Sequence, residues 1–328
     1  MTSAQPTRVI AGVDEAGLGP MLGPLCVGIS VFEAPQIEGN PYRLWPLFEG
    51  LVSNNPKDRD GGIVVCDSKL LHSSSRGVGD LEASLLPFLA ALQPDPISNV
   101  RELFARHSLA PLAAMDELPW YRKSLGELAL PHRAHPDKVE IRGKKLREFF
   151  GKSSLKLLDA KVLPVIVPEF NRLVAAHRNK ADVNLAAFCA AIESVWQDHP
   201  TLSVACDRLG GRQYYSEALH AVLQADRVEI VSESEDVSAY IVTRGKSELR
   251  ISFRVAADES CFPVALGSML AKYTRELAME AFNAYFGAQQ PGLKPTKGYV
   301  QDARRWLAES AVMREAIGIE DSVLIRQR

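Results

Sequence analysis

Short apolar runs alternate along this chain with polar breaks marked by glycine or proline. Residues 9–13 (Val-Ile-Ala-Gly-Val) are rich in β-branched side chains, which suit a pleated surface and predict a buried strand. Gly17, Gly19, Pro20, Gly23 and Pro24 follow at once; they stop the strand and let the backbone approach something closely. Residues 25–32 (LCVGISVF) predict a second strand, hairpin-paired with the first. Further strands are predicted at 61–66, 162–167, 202–206, 227–232 and 250–255, and Pro164 favours an edge or a bulge for the second of these. Helical spacing marks 79–92, with Leu81, Leu85, Leu86 and Leu89 on one face, and also 181–196, 213–224, 267–286 and 302–310. Residues 34–55 read as loop with short helical pieces. From 93 to 151 clear periodicity is lost, and the stretch reads as an insertion or small subdomain. Strands and helices mix without strict alternation, which argues for an α/β fold opened by a hairpin rather than a doubly wound sheet.

Composition changes this picture little. The 328 residues are 46% hydrophobic and 24% charged, an ordinary globular balance. The net charge of −2 gives no global positive field, so contact with nucleic acid would need local basic patches. One basic run exists (Arg142, Lys144, Lys145, Arg147, Lys152 and Lys156), but such runs are more often a solvated face. The five cysteines are scattered and form no C-x-x-C pair, which disfavours zinc and a disulfide framework and predicts buried, reduced thiols. Residues 1–8 lack the apolar core of a signal peptide, and no apolar run reaches the ~18 residues a membrane span needs. A cytoplasmic chain without membrane contact is expected.

The candidate chemistry lies where apolar runs end in acid. Asp14 and Glu15 follow the first strand, Asp207 a later one, and Asp258 a third. Any one acid means little among 40 Asp and Glu residues, but carboxylates at several strand ends suit hard divalent cations. Neighbouring strand residues face opposite sides, so Asp14 and Glu15 are expected to share a site only if the strand ends or bends at Glu15. Other chemistries fail on spacing. Gly17-x-Gly19 is followed by Gly23, which breaks the dinucleotide fingerprint, and neither a Walker A motif nor an H-E-x-x-H pair is present. Gly267-Ser268-Met269 lacks the flanking pattern of a hydrolase nucleophile elbow.

Residues 12–24 (GVDEAGLGPMLGP) resemble the G-x-D-E-A-G-R-G-P-x-x-G-P motif of the ribonuclease HII family. Asp67-Ser68-Lys69-Leu70-Leu71 is similar to its D-S-K-x-L, residues 266–276 (LGSMLAKYTRE) to its A-A-S-I-L-A-K-x-x-R-D, and Thr296-Lys297-Gly298-Tyr299 to its H-K-G-Y. The matches fall in family order from about residue 8 to 310, and residues 93–151 have no counterpart. The resemblance implies a ribonuclease H-like fold, a mixed central sheet flanked by helices, whose core (1–92 and 152–328) carries 93–151 as an inserted, peripheral subdomain. It implies a monomeric endonuclease that uses two divalent cations, Mg2+ or Mn2+. The reaction would cleave the RNA strand of RNA–DNA hybrids, or duplex DNA containing ribonucleotides, and leave 5′-phosphate and 3′-hydroxyl ends. It carries the catalytic, metal-binding acids onto Asp14, Glu15, Asp207 and Asp258; counting from Pro263 instead of Ser268 gives Glu259 for the last. Substrate contacts fall on Gly17, Leu18, Gly19, Ser68, Lys69, Ser268, Lys272, Lys297 and Tyr299, the lysines toward phosphates and Tyr299 as a stacking surface. Two departures stand out. Leu18 replaces the family arginine, and Asp207 sits in CDRLGGRQYY, whose Tyr214-Tyr215 pair resembles ribonuclease HIII. Two other functions stay open: a non-catalytic hybrid-binding protein, and a nuclease of the same fold with another nucleic-acid substrate.

Overall fold

A computed structural model describes residues 6–72, 77–93, 95–177 and 179–327. Seven strands form one sheet: β1 (Thr7–Ala16), β2 (Leu25–Pro35), β3 (Lys156–Val165), β4 (Thr201–Asp207), β5 (Arg227–Glu233), β6 (Val237–Arg244) and β7 (Ser247–Arg254). Their order across the sheet is β3-β2-β1-β4-β7-β6-β5. The β1–β2 and β2–β3 pairs are antiparallel, β1–β4 and β4–β7 are parallel, and β5–β6–β7 close the far side as an antiparallel meander. This is the α/β fold with a mixed central sheet that the ribonuclease H-like expectation calls for. Pro164 lies on β3, the edge strand, where a missing N–H costs no ladder bond. The expected strand at 61–66 is shorter: Ile63–Val64 pairs with Val52–Ser53 in a separate two-stranded sheet. The alternating stretch that forms β6 has no counterpart among the predicted strands; Ser238, Tyr240 and Val242 are its buried face.

Helices cover both faces. On one side lie α1 (Gly79–Leu92), α2 (Val100–His107), α3 (Pro119–Ser124) and α4 (Pro136–Lys152); on the other, α5 (Val167–His177) and α6 (Lys180–Trp196). The long α7 (Phe262–Gln289) crosses the first face against β1 and β2, and α8 (Val300–Glu309) follows it. Three glycines set how closely α7 lies on the sheet. A Cβ on Gly12 would stand 2.1 Å from Val264 N, one on Gly28 2.1 Å from Gly267 O, and one on Gly267 2.9 Å from Gly28 O. No side chain fits there, so backbone meets backbone, and the helix serine next to Gly267 comes down onto the end of β1.

Residues 93–151 share the main core. Trp120 packs on Phe282 and Phe286 of α7, and Phe149 and Phe150 of α4 join Phe48, Phe88 and Phe262 in one aromatic cluster. The short α2 and α3 hide their period, yet Asn99 caps α2 through the N–H of Glu102, whose carboxylate takes the N–H of Ser98. Buried Glu82 of α1 accepts the N–H groups of His132, Arg133 and Ala134 and the Tyr273 hydroxyl, tying this segment to α7. The basic run divides between packed arginines and mostly exposed lysines. Arg142 is buried against the carbonyls of Ala83 and Arg59, Arg147 donates to Ala90, and Lys144 and Lys152 pair with Glu140 and Glu148. All five cysteines are free and buried, as the composition predicts. Among the described residues no helix is long and apolar enough to cross a membrane.

Candidate active site

Strand register brings the first acids together. Val13 of β1 lies opposite Cys206 of β4, so Asp14 and Asp207 come side by side just past the last paired residues of these two parallel strands. Contrary to the expected bend, β1 does not stop at Glu15: pairing with β2 continues to Ala16 opposite Cys26. The two acids therefore stay on opposite faces. Ile10 packs in the core under α7 whereas Ala11 and Val13 pack in the core under α6, and alternation sends Asp14 to the first side and Glu15 to the second. They straddle the end of the sheet. Asp14 meets the Ser268 hydroxyl of α7, and Glu15 meets the amide of Asn184 on α6. Both feel the negative charge of Asp207, so one site still forms.

Asp258 arrives by a tight turn after β7. Ala256 adopts the left-handed region (φ 48), and Ala257 N–H donates to the Asp207 carboxylate at 2.9 Å. A non-glycine residue in that region costs about 1 kcal/mol or more, and strain of this kind collects at functional sites. The turn places Asp258 beside Asp207 and Asp67, while Glu259 is exposed. Position 259 thus faces solvent, and 258 faces the other acids.

All four acids are held above their ordinary range. Burial lifts Asp14 most, helped by Glu15 and Asp207, against the Ser268 hydroxyl and the Glu15 N–H. Burial also lifts Glu15, against its bonds to Asp14 and Asn184. Asp207 rises by burial, opposed by the N–H groups of Ala257 and Arg208 and by Lys69. Asp258 rises to about 6 through burial and the charges of Asp67 and Asp207. Lys69 is the counter-charge: Asp67 first, then Asp258, Asp14 and Asp207, hold its ammonium above the usual value. Ser68 meets Ser268 hydroxyl to hydroxyl at 3.2 Å, linking the D-S-K segment to α7.

The remaining predicted residues gather a short way off. Gly17, Leu18 and Gly19 form the turn leaving β1, and the Thr296–Tyr299 loop docks on it: Gly298 O accepts from Met21 N at 2.7 Å and Leu22 N at 3.2 Å. A Cβ on Gly298 would stand 2.5 Å from Leu22 O. Lys297 and Tyr299 are exposed at this edge, with the Arg275 guanidinium over the Tyr299 ring. Leu18 turns against the apolar layer under α5 and α6 instead of standing over the turn. Lys272 is not an open cation; it pairs with Glu276 at 2.8 Å, which His72 also approaches. Tyr214 is exposed, while Tyr215 stacks on Phe253 within the core.

Two residues at the acids escape the motif reading. Asp67 stands inside D-S-K but takes no role from it; its carboxylate accepts the Lys69 N–H at 2.9 Å, and its charge acts on Asp258, Asp207 and Lys69. Asn184 lies mid-helix, fully buried, with neither side-chain polar atom in a well-formed hydrogen bond, yet its amide pulls Glu15 down. Buried polar groups without good partners are costly, so one that lies beside the buried Glu15 carboxyl calls for a role. Oxygen-only donors suit magnesium or manganese better than zinc or copper. Among the described residues no group of three or more His, Cys, Asp or Glu side chains is placed so that it could hold a metal ion.

No protein-family model and no curated protein matches the chain. Solved structures do. Ribonuclease HII of Archaeoglobus fulgidus, solved in complex with PCNA, aligns at 16% identity over 98% of this chain and 95% of its own, with a TM-score of 0.40. Ribonuclease H2 of Pyrococcus horikoshii aligns at 15% over 97% and 92%, with a TM-score of 0.43. The Mn2+ complex of Bst-RNase HIII aligns at 12% over 97% and 66%, with a TM-score of 0.42.

Proposed function

We propose that this chain is a divalent-metal-dependent endonuclease that cleaves the RNA strand of RNA–DNA hybrids or ribonucleotides within duplex DNA. The observation that supports it best is the convergence of Asp14, Glu15, Asp207 and Asp258 on one sheet end, each held above its ordinary range by burial and its neighbours. A chain keeps carboxylates that repel one another when something positive resolves the repulsion. These four residues would hold the metal ions. When bound, such ions supply activation of water and neutralisation of charge at the scissile phosphate. Asp207 is held by the Ala257 N–H and Asp14 by the Glu15 N–H, which narrows the orientations each carboxylate has to search. Lys69 adds a fixed positive charge facing the acids, placed to meet a phosphate. The turn at 17–19 presents backbone groups, the means by which a protein reads a 2′-hydroxyl, and the exposed Tyr299 ring offers a stacking surface.

The test compares Asp14→Asn with wild type on a full hybrid, a duplex with one ribonucleotide, and all-DNA duplex, each with Mg2+ and with Mn2+. The expected result is cleavage of ribonucleotide-containing substrates by wild type and loss of cleavage in a folded variant. A folded Asp14→Asn protein that turns over like wild type overturns the assignment. Binding of hybrid without cleavage by wild type would favour the non-catalytic alternative.

A further inference from the structure

Two arginines lie buried behind the glycine turn. Arg326 is 2% exposed and donates from Nε to Gly23 O at 2.8 Å, from Nη2 to the same carbonyl, and from Nη1 to Gly17 O. Its backbone N–H donates to Met21 O at 3.0 Å, and its guanidinium lies 4.9 Å from the Phe170 ring centroid. Arg275 is 1% exposed; its Nη2 bonds Lys297 O, and its Nε has no hydrogen-bond partner and would stand 2.3 Å from a Cβ on Gly17. Arg275 Nη1 stands 3.8 Å from Glu276 Oε1, whereas among the described residues no carboxylate pairs with Arg326, and burial followed by the Arg275 charge push its guanidinium down to about 9. An isolated cation in the interior is expensive, and a protein of this size has cheaper ways to brace a turn. Asn171 of α5 pins the backbone around it, donating to the carbonyls of Ser322 and Ile325 and accepting from Gln327 N–H.

A trans peptide points its C=O and N–H in opposite directions. With the Gly17 carbonyl drawn inward onto Arg326, the Leu18 N–H is turned outward. We propose that Arg326 is a positioning residue for substrate selection: it fixes the peptide planes of the turn at 17–23 so that backbone donors face the ribose. This rests on the nuclease reading above. It commits to one ligand chemistry, a ribonucleotide with its phosphodiester in a duplex.

The experiment measures kcat and KM of wild type, Arg326→Met and Arg326→Lys on hybrid and on a single-ribonucleotide duplex, together with binding of metal-free protein to hybrid and to all-DNA duplex. Arg326→Met is expected to raise KM and to lower the preference for hybrid over DNA by about tenfold, roughly the worth of one charge-assisted hydrogen bond, with kcat within about twofold. Arg326→Lys restores part of the preference. If Arg326→Met does not fold, Asn171→Ala decides, with a smaller loss of preference in the same direction. An unchanged preference in a folded variant, or kcat falling on every substrate with KM fixed, overturns the inference and leaves the nuclease reading standing. Wild type that neither cleaves nor prefers hybrid overturns both.

Discussion

If the acids are strained by one another, removing one must stabilise the metal-free protein while destroying its activity. Asp258 permits a worked number. Its carboxyl sits at about 6 against an ordinary 3.8. Between those values the unfolded chain releases a proton that the folded chain keeps, so stability falls as pH rises through this window and the full cost is present above it. A shift of this size corresponds to a ceiling of roughly 3 kcal/mol. The group is partly solvated, so screening reduces this to about 1 kcal/mol. For a chain of this length that is about 1–2 °C in melting temperature. The assay is thermal unfolding of wild type and Asp258→Asn in chelator, at pH 7.5 and at pH 4. The variant melts higher at pH 7.5, the gap closes at pH 4 where the wild-type carboxyl is already protonated, and added Mg2+ raises wild type more than variant. A variant that melts at or below wild type at pH 7.5, or equal Mg2+ stabilisation of both, refutes the argument that these carboxylates await a cation.

Three further expectations follow from packing and charge. Gly28→Ala drives a Cβ to 2.1 Å from the Gly267 carbonyl, with backbone on both sides, and should cost about 3 kcal/mol; an unchanged melting temperature would show that α7 can lift freely. Leu18→Arg can lay its stem where leucine packs and carry its head to solvent, so hybrid affinity should rise and the log–log salt slope steepen by about 0.9; a slope that stays put means position 18 faces no phosphate. Excising residues 93–151 removes Trp120, Tyr121, Phe104 and Leu146 from the shared core, so the product should not fold; cooperative unfolding of such a protein would mark the segment as separable after all.

Much of this was legible because strong local signals agreed with the tertiary result. The hairpin of β1 and β2, the helix at Gly79–Leu92 and the strand ending in Asp207 appear where apolar period and glycine punctuation place them. What local pattern could not carry was the third dimension of the site. The expectation of a bend at Glu15 assumed that a site lies on one face of a sheet. This site wraps its end, so strict alternation serves it, one acid toward α7 and the other toward α6. The helices within 100–124 hid because they are too short to show a period, although Asn99 and Glu102 spelled a cap, and α4 hid because few of its residues are apolar. Asn184 looked like any polar residue in an apolar helix. Burial with neither amide atom partnered, together with its place beside Glu15, marks it out.

Leu18 shows how far a single position misleads when read in line. In sequence it is a lost charge inside the segment that should choose the substrate. In the fold the turn has two guanidiniums behind it, one of them delivered from 309 residues away. A charge behind a glycine turn acts through peptide dipoles; a charge on the turn would act by direct contact. The first selects by where backbone donors point, the second by attraction to any phosphate. On the proposed nuclease reading, leucine at 18 gives up a general grip on phosphate and leaves the selection of ribose to the geometry of the turn. The corresponding expectation is concrete: raising salt from about 50 to 200 mM should weaken binding of hybrid and of DNA together, in the manner of nonspecific phosphate contact, while their ratio holds. A ratio that collapses with salt would place the discrimination in charge, and the role given to the turn would fall.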